Sequence, residues 1–376
     1  MGTILGNGVE TRTRVRRGIA GALLLILTSA SAWRSARADT VNSEERKVTQ
    51  LAAGVYEIRH KDPSPGWTNG NTTVIIGERE VLVVDSGELS YVAQEDISQI
   101  RQWTSKPVRY LVNTDWHQEH NGGNKDYMDA FPGLAILAHP ESLSRIAEIG
   151  PMLSGAMLND TAPTHEKLTH RLETGKTDDG QPLTEEQRKQ TAARLAQLNQ
   201  FMDAARTFSF QLPTLTFEHE LVIDLGGREV RLMHPGRGNT AGDVVAYLPK
   251  EKILVTGDLL VSPVPYGFSG YPVECIETLR KMDRLDADTI VPGHGDVMRD
   301  KAFLRLVIDT MTSVVEQVHE QIRVKGDPSL DEVKKSMDLK PFREKFARGD
   351  GNSARFFDVS VADKFVELAY YEAKQR

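Results

Sequence analysis

The sequence predicts an α/β protein, and two observations carry that prediction. Short Val- and Ile-rich runs of strand length alternate with stretches whose apolar residues recur at helical spacing. Several of the strand-like runs end directly in Asp, His or Gly, the place where open α/β sheets gather ligands. A chain of 376 residues can form one large α/β unit with additions as readily as two domains.

The amino-terminal stretch "TRTRVRRGIAGALLLILTSASAWRSARADT" has a basic region ending at Arg16 and Arg17, an apolar run over 19–27, and Ala36-Arg37-Ala38. That order is the pattern of an export signal of residues 1–38 cleaved after Ala38, with an apolar run short for a bilayer span. Two arginines in series fit the twin-arginine route imperfectly and an ordinary secretion signal equally well; an uncleaved anchor is the third reading. A periplasmic or secreted protein without a stable membrane anchor is therefore expected. Residues 1–38 hold six arginines and one acid, which leaves 40 basic and 52 acidic residues and a formal charge of −12. So acidic a chain is a poor candidate for binding nucleic acid or anionic lipid surfaces, and neither is expected as a partner. Cys275 stands alone, which excludes an intrachain disulfide and a multi-cysteine metal site, and it reads as a small core residue.

Along the chain, "GVYEIRH" (54–60) and "TTVIIGEREVLVVDSG" (72–87) read as strands, the second a hairpin turned at Gly77-Glu78-Arg79. A helix over 91–104 leads into a third strand, "VRYLVN" (108–113). Between 141 and 208 the pattern turns helical: "TEEQ" (184–187) is a capping box, followed at helical spacing by Leu195, Leu198, Phe201 or Met202, and Ala205. Strands resume at 217–225, 228–236, 243–249, 252–258 and 288–293. Beyond 301 the chain is helical, with one stripe of Leu304, Val307, Met311, Val314, Val318 and Ile322 stopped at Gly326, and "SLDE" (329–332) opening the next helix.

The strand at 108–113 runs straight into "LVNTDWHQEHNGGN", which gathers Asp115, His117, Glu119 and His120 within six residues. Asp85 closes the "LVVDSG" run, as a site residue or as a turn-forming aspartate. "HPGRGNTAGD" (234–243), "VTGDLL" (255–260) and "VPGHGDV" (291–297) end later strands in the same way. In this order the five motifs resemble the metallo-β-lactamase-fold hydrolases over residues 45–300. The resemblance implies an αββα sandwich with the metal site at one edge of the sheets; the helical insert (141–208) and the carboxy-terminal helices (301–376) are additions to it.

In that family the first motif is usually H-x-H-x-D-H, and here it is Asp115-x-His117-x-Glu119-His120. By resemblance His117 and His120 are ligands, Asp115 replaces a histidine and Glu119 an aspartate. Asn239 stands where the family's G-H-T histidine is usual. Asp258 matches the acid that bridges two metals, His294 the last histidine of the second site, and Asp85 an acid that supports the site from behind. The second site keeps His120, His294, Asp258 and Glu119, a catalytic-type set; the first is left with His117, Asp115 and a weak amide donor. One divalent ion is thus expected, zinc by family with manganese or iron allowed by the oxygen-rich ligands, and a second ion is doubtful.

His139 and His234 lie at strand ends near the pocket, as structural histidines or pocket wall, and His234 could replace the nitrogen lost at Asn239. His60 and His219 carry no motif and read as surface residues or supports behind the site. Trp67, in a Gly-rich stretch, suits substrate contact or packing of its loop. The leading expectation is an exported hydrolase that cleaves a small ester, thioester, lactone or amide with a metal-activated water, Asp258 holding the metal and Glu119 either ligating it or accepting the proton. The rivals are a metal-free binding protein on the same fold and an iron-containing redox protein.

Overall fold

The computed structural model describes residues 46–62, 68–267 and 270–375. Residues 1–38, where an export signal is expected, and Trp67 lie outside them. Seven strands form the first sheet in sequence order: β1 (Lys47–Ala52), β2 (Val55–Arg59), β3 (Thr72–Ile76), β4 (Val81–Val84), β5 (Val108–Val112), β6 (Ala135–Ala138) and β7 (Leu215–Thr216). Pairing is antiparallel from β1 to β4 and parallel from β4 to β7. The second sheet has five strands, in the order β12 (Thr289–Val291), β11 (Ile253–Val255), β10 (Val245–Leu248), β9 (Glu229–Met233), β8 (Glu220–Asp224).

Why the sheets stack is legible in β4. All four of its residues are fully buried. Leu82 and Val84 join Val55, Ile75 and Val112 against Leu232, Ala246 and Val255 of the second sheet, while Val81 and Val83 meet Ala93, Ile97 and Ile100 of α1 (Ser90–Trp103). A strand covered on both faces must be apolar throughout, and that is what "VLVV" supplies. Across the second sheet, Val245, Leu254 and Ile290 pack against α6 (Pro272–Asp283) and α7 (Ala302–Lys325). The layers are α, β, β, α, as the resemblance implied.

Between β5 and β6 lie α2 (Gln118–Asn121) and α3 (Asn124–Ala130). The insert is a helical hairpin of α4 (Pro140–Thr174) and α5 (Glu185–Arg206). Thr184 and Gln187 form the expected capping box at the start of α5. Leu153, Met157 and Leu168 of α4 and Leu198 and Phe201 of α5 bury against Leu89, and Gln118 Nε2 reaches Met157 Sδ at 3.0 Å. The insert therefore backs the turn that carries the opening motif.

At the carboxy terminus follow α8 (Leu330–Ser336), α9 (Lys340–Ala347), α10 (Gly351–Phe357), a π-helix (Asp358–Phe365) and α11 (Val366–Gln375). Their Phe346, Phe356, Phe357 and Phe365 share one hydrophobic cluster with the second sheet and with Cys275, so residues 301–375 pack as part of the outer helical layer. Among the described residues no helix is long and apolar enough to cross a membrane.

Candidate metal centre

The opening motif folds where β5 ends. Asn113 and Thr114 are buried, His117 caps α2, and His120 lies within it. The glycine pair after the motif is required by packing: a Cβ on Gly122 would stand 1.9 Å from the Glu88 carbonyl oxygen. The turn can therefore lie directly on the backbone of 86–88, where the Ser86 N–H and Asn113 Nδ2 both donate to the His120 carbonyl at 3.0 Å. Asp258 follows β11 in a single 3₁₀ turn, Gly257–Leu259. His294 follows β12 in Pro292-Gly293-His294-Gly295. A Cβ on Gly293 would lie 2.1 Å from Asp258 Oδ1, so only glycine lets the two loops meet. Asn71 clasps the His294 loop, its N–H donating to the Gly293 carbonyl at 2.7 Å and its Nδ2 to the Pro292 and Gly295 carbonyls at 3.0 Å.

These segments bring Glu119, His120, Asp258 and His294 together, all buried, each with one ligand atom within 4.8 Å of every other. His294 Nε2 is 3.2 Å and His120 Nε2 3.4 Å from Asp258 Oδ1, and Glu119 Oε1 is 4.0 Å from His294 Nε2. Ligands about 2.1 Å from a tetrahedral ion stand about 3.4 Å apart, so the spacing is that of a coordination shell. His120 Nε2 is buried and makes no hydrogen bond among the described residues, while its Nδ1 donates to Asp85 Oδ2 at 2.8 Å. A buried imidazole with one nitrogen held by a carboxylate and the other left for a neighbour is the arrangement of a metal-ligating histidine.

Asp115, His117 and Asp258 form an adjoining group, but Asp115 and His117 bond to one another. Asp115 accepts from the His117 N–H at 2.7 Å, from His117 Nδ1 at 3.1 Å and from Asn239 Nδ2 at 3.0 Å. Asn239 thus serves as a donor to Asp115, its amide orientation assigned from those bonds. His234 supplies no nitrogen in its place. Its Nδ1 donates to the Asp243 carbonyl at 2.7 Å, its ring stacks on His139 at 4.2 Å, and it belongs to neither ligand group. His139 caps α4 by accepting from the Glu141 N–H. His60 is buried away from the surface, bonded to Thr72 and to Asp96, which also pairs with Arg46; His219 is exposed.

Sequence reasoning passed over Asp243, whose buried carboxylate accepts from the Thr240 N–H and hydroxyl and so folds the loop that carries Asn239. It also passed over Thr114 and Asn71. Each is a short polar residue beside a strand end, and that is the one signal they offered.

Burial pulls the imidazoles of His117 and His120 down, yet the surrounding carboxylates, Asp115 foremost, outweigh it and hold both above the usual histidine value. Burial pushes Asp258 and Asp115 up, but the neighbouring histidines, His294 foremost for Asp258 and His117 for Asp115, hold both below the usual carboxylate value. Burial does raise Asp85, against the pull of His120, and raises Asp243 strongly, with Asp115 adding to the shift. In the metal-free protein, protons on the histidines therefore supply the positive charge that the carboxylates call for, and an ion held by these residues would take their place. Because the imidazole pKa values are raised, protonation persists above pH 6.5, so apparent metal affinity is expected to rise with pH from 6 to 8.5 and uptake to release protons. Calorimetry in two buffers of different ionisation enthalpy measures both; an affinity flat across that range would count against the ligand assignment.

Two sheets in an αββα sandwich, with a His and carboxylate cluster where strands end at one edge, define a metallo-β-lactamase-type scaffold with a candidate metal site. A family model described as the metallo-beta-lactamase superfamily matches residues 65–294, and the chain belongs to that superfamily. It is 23% identical over 250 residues to a linear primary-alkylsulfatase of a Pseudomonas strain, covering 64% of this chain and 44% of that protein. It is 31% identical over 110 residues to the bovine acyl-coenzyme A thioesterase MBLAC2, covering 27% and 39%. The chain thus spans less than half the length of either relative. Among solved structures, the sec-alkylsulfatase Pisa1 from Pseudomonas sp. aligns over 91% of this chain and 52% of its own, with TM-score 0.57 and 14% identity. A metallo-beta-lactamase from Pontibacter korlensis aligns over 71% and 99%, with TM-score 0.51 and 17% identity. At those identities the likeness is one of fold.

Proposed function

We propose that the protein is an exported hydrolase of a small ester-type substrate, a carboxylic ester, thioester or sulfate ester, that works with one divalent ion held by Glu119, His120, Asp258 and His294. The observation that carries this reading is the convergence of those four buried side chains from three separate strand ends. The names of the two relatives, an alkylsulfatase and a thioesterase, support ester-type bonds as the substrate class. Export is supported by the pattern of residues 1–38.

When bound there, a divalent ion supplies a Lewis acid and lowers the pKa of water towards neutrality. Two imidazoles and two carboxylates suit zinc, and the carboxylates also admit manganese or iron. Asp85 fixes the His120 ring, and Asp258 lies between the two imidazoles. His117 is the member of the assembly open to solvent, its side chain 18% exposed. Trp116 flanks it with ring centroids 4.0 Å apart, and Arg145 from the insert lies 5.2 Å from the Trp116 ring. These residues form the solvent-facing edge of the assembly, and His117 with Asp115 stands where a proton can leave the site.

The test is turnover by metal-loaded protein of 4-nitrophenyl acetate, an acyl-coenzyme A and a primary alkyl sulfate, beside chelator-treated protein and Asp258→Asn. At least one substrate is expected to turn over, with a loss of at least about 100-fold in the variant. Protein that holds metal and turns over none of the three would overturn the ester-hydrolase reading and leave a binding protein on this fold.

A further inference from the structure

The segment 260–267 that follows the Asp258 turn touches the His294 loop twice. At its start, the Ser262 N–H donates to the His294 carbonyl at 3.1 Å, and Val261 pairs with His294 as an isolated parallel bridge. At its end, Tyr266 is buried with its ring centroid 5.7 Å from that of His294, and 6.1 Å from that of Phe356 in edge contact. What holds Tyr266 there comes from the far end of the chain. Ser360 is fully buried in the π-helix, and its single hydroxyl brackets the tyrosine: it accepts from the Gly267 N–H at 2.7 Å and donates to the Pro265 carbonyl at 2.8 Å. The fit is close enough that a Cβ on Gly267 would stand 1.9 Å from the Ser360 carbonyl oxygen. A π-helical turn widens the backbone and re-aims side chains, and such turns occur at functional sites more than elsewhere.

We propose that Ser360 and Tyr266 are positioning residues through which the carboxy-terminal helices set the orientation of His294 in the candidate metal centre. The proposal rests on the metal-binding reading for its consequence, while the coupling itself is a property of the metal-free chain. A ring packed against an imidazole restricts its rotation, and a ligand held in place loses less entropy when it coordinates. The carboxy-terminal helices thus complete the site, and among the described residues they supply no ligand to it.

The experiment compares wild type with Ser360→Ala, Tyr266→Ala and Val361→Ala. Val361 is a buried neighbour of Ser360 in the same helix and serves as the control for destabilisation alone. Hydrogen exchange in metal-free protein is expected to rise in residues 261–267 and 291–297 for Ser360→Ala and Tyr266→Ala, and to stay at the wild-type rate there for Val361→Ala. Zinc affinity by chelator competition is expected to fall about tenfold in the first two, the lower end of the range for an outer contact on a metal ligand, and the visible spectrum of the cobalt form is expected to shift. Exchange in 291–297 that matches wild type in both Ser360→Ala and Tyr266→Ala would overturn the proposal. A wild type that takes up no metal would sink the metal reading by itself, and the exchange data would still decide the coupling.

Discussion

Protein purified without chelators is expected to carry close to one equivalent of divalent metal, and the His120→Ala, His294→Ala double variant none. Elemental analysis by plasma mass spectrometry reads this directly. The expectation of one ion follows from the inequality of the two groups. His120 Nε2 is buried without a hydrogen bond beside Asp258 and His294, whereas Asp115, His117 and Asn239 already bond among themselves. A ligand saturating its site at 100 times its dissociation constant adds about 2.7 kcal/mol, so the metal-loaded wild type should also melt a few degrees higher than its chelated form. Two equivalents would show that Asn239 and Asp115 rearrange to coordinate. Metal-free protein that stays so after incubation with zinc, manganese and iron would leave the binding-protein reading.

Much of this centre is legible in the sequence, because its parts are local. "VLVVD" and "VRYLVN" are apolar strands that stop at polar residues, and "DWHQEHNGG" holds its ligand candidates and the glycines that let them pack within a few positions. The inequality of the two groups is legible as a difference in ligand types, but the bonding that fixes it is not, since it depends on Asn239 turning its amide to Asp115 across 124 positions. The burial of His60 escaped for the same reason: its partners, Asp96 and beyond it Arg46, lie on other elements. Strands β1 and β7 escaped because one is half-exposed and the other has two residues. The π-helix has the apolar pattern of an ordinary helix, so nothing in its sequence announces the widened turn that receives Gly267.

Asp85→Asn is expected to lower metal affinity about 10- to 100-fold while the protein still folds. Asp85 ends β4 with φ +62°, a left-handed conformation that Asn tolerates nearly as well as Asp. The backbone therefore permits the change, and the chemistry does not. The Asp85 carboxylate accepts three bonds at 2.8 Å, from the Thr114 N–H, the Thr114 hydroxyl and His120 Nδ1. An amide has one acceptor oxygen, and its NH₂ must then face one of those donors. If it faces His120, the ring proton moves to Nε2, the atom aimed at Asp258 and His294, and the imidazole no longer offers a lone pair where the ion sits. Asp85→Gly separates the two roles that the sequence left open, because glycine keeps the left-handed turn and removes the carboxylate. Chelator competition gives the affinities, and nitrogen-15 spectra of the His120 ring give the tautomer. If Asp85→Gly binds metal as wild type does, Asp85 is there for the turn; if it falls with Asp85→Asn, the aspartate is there to hold His120.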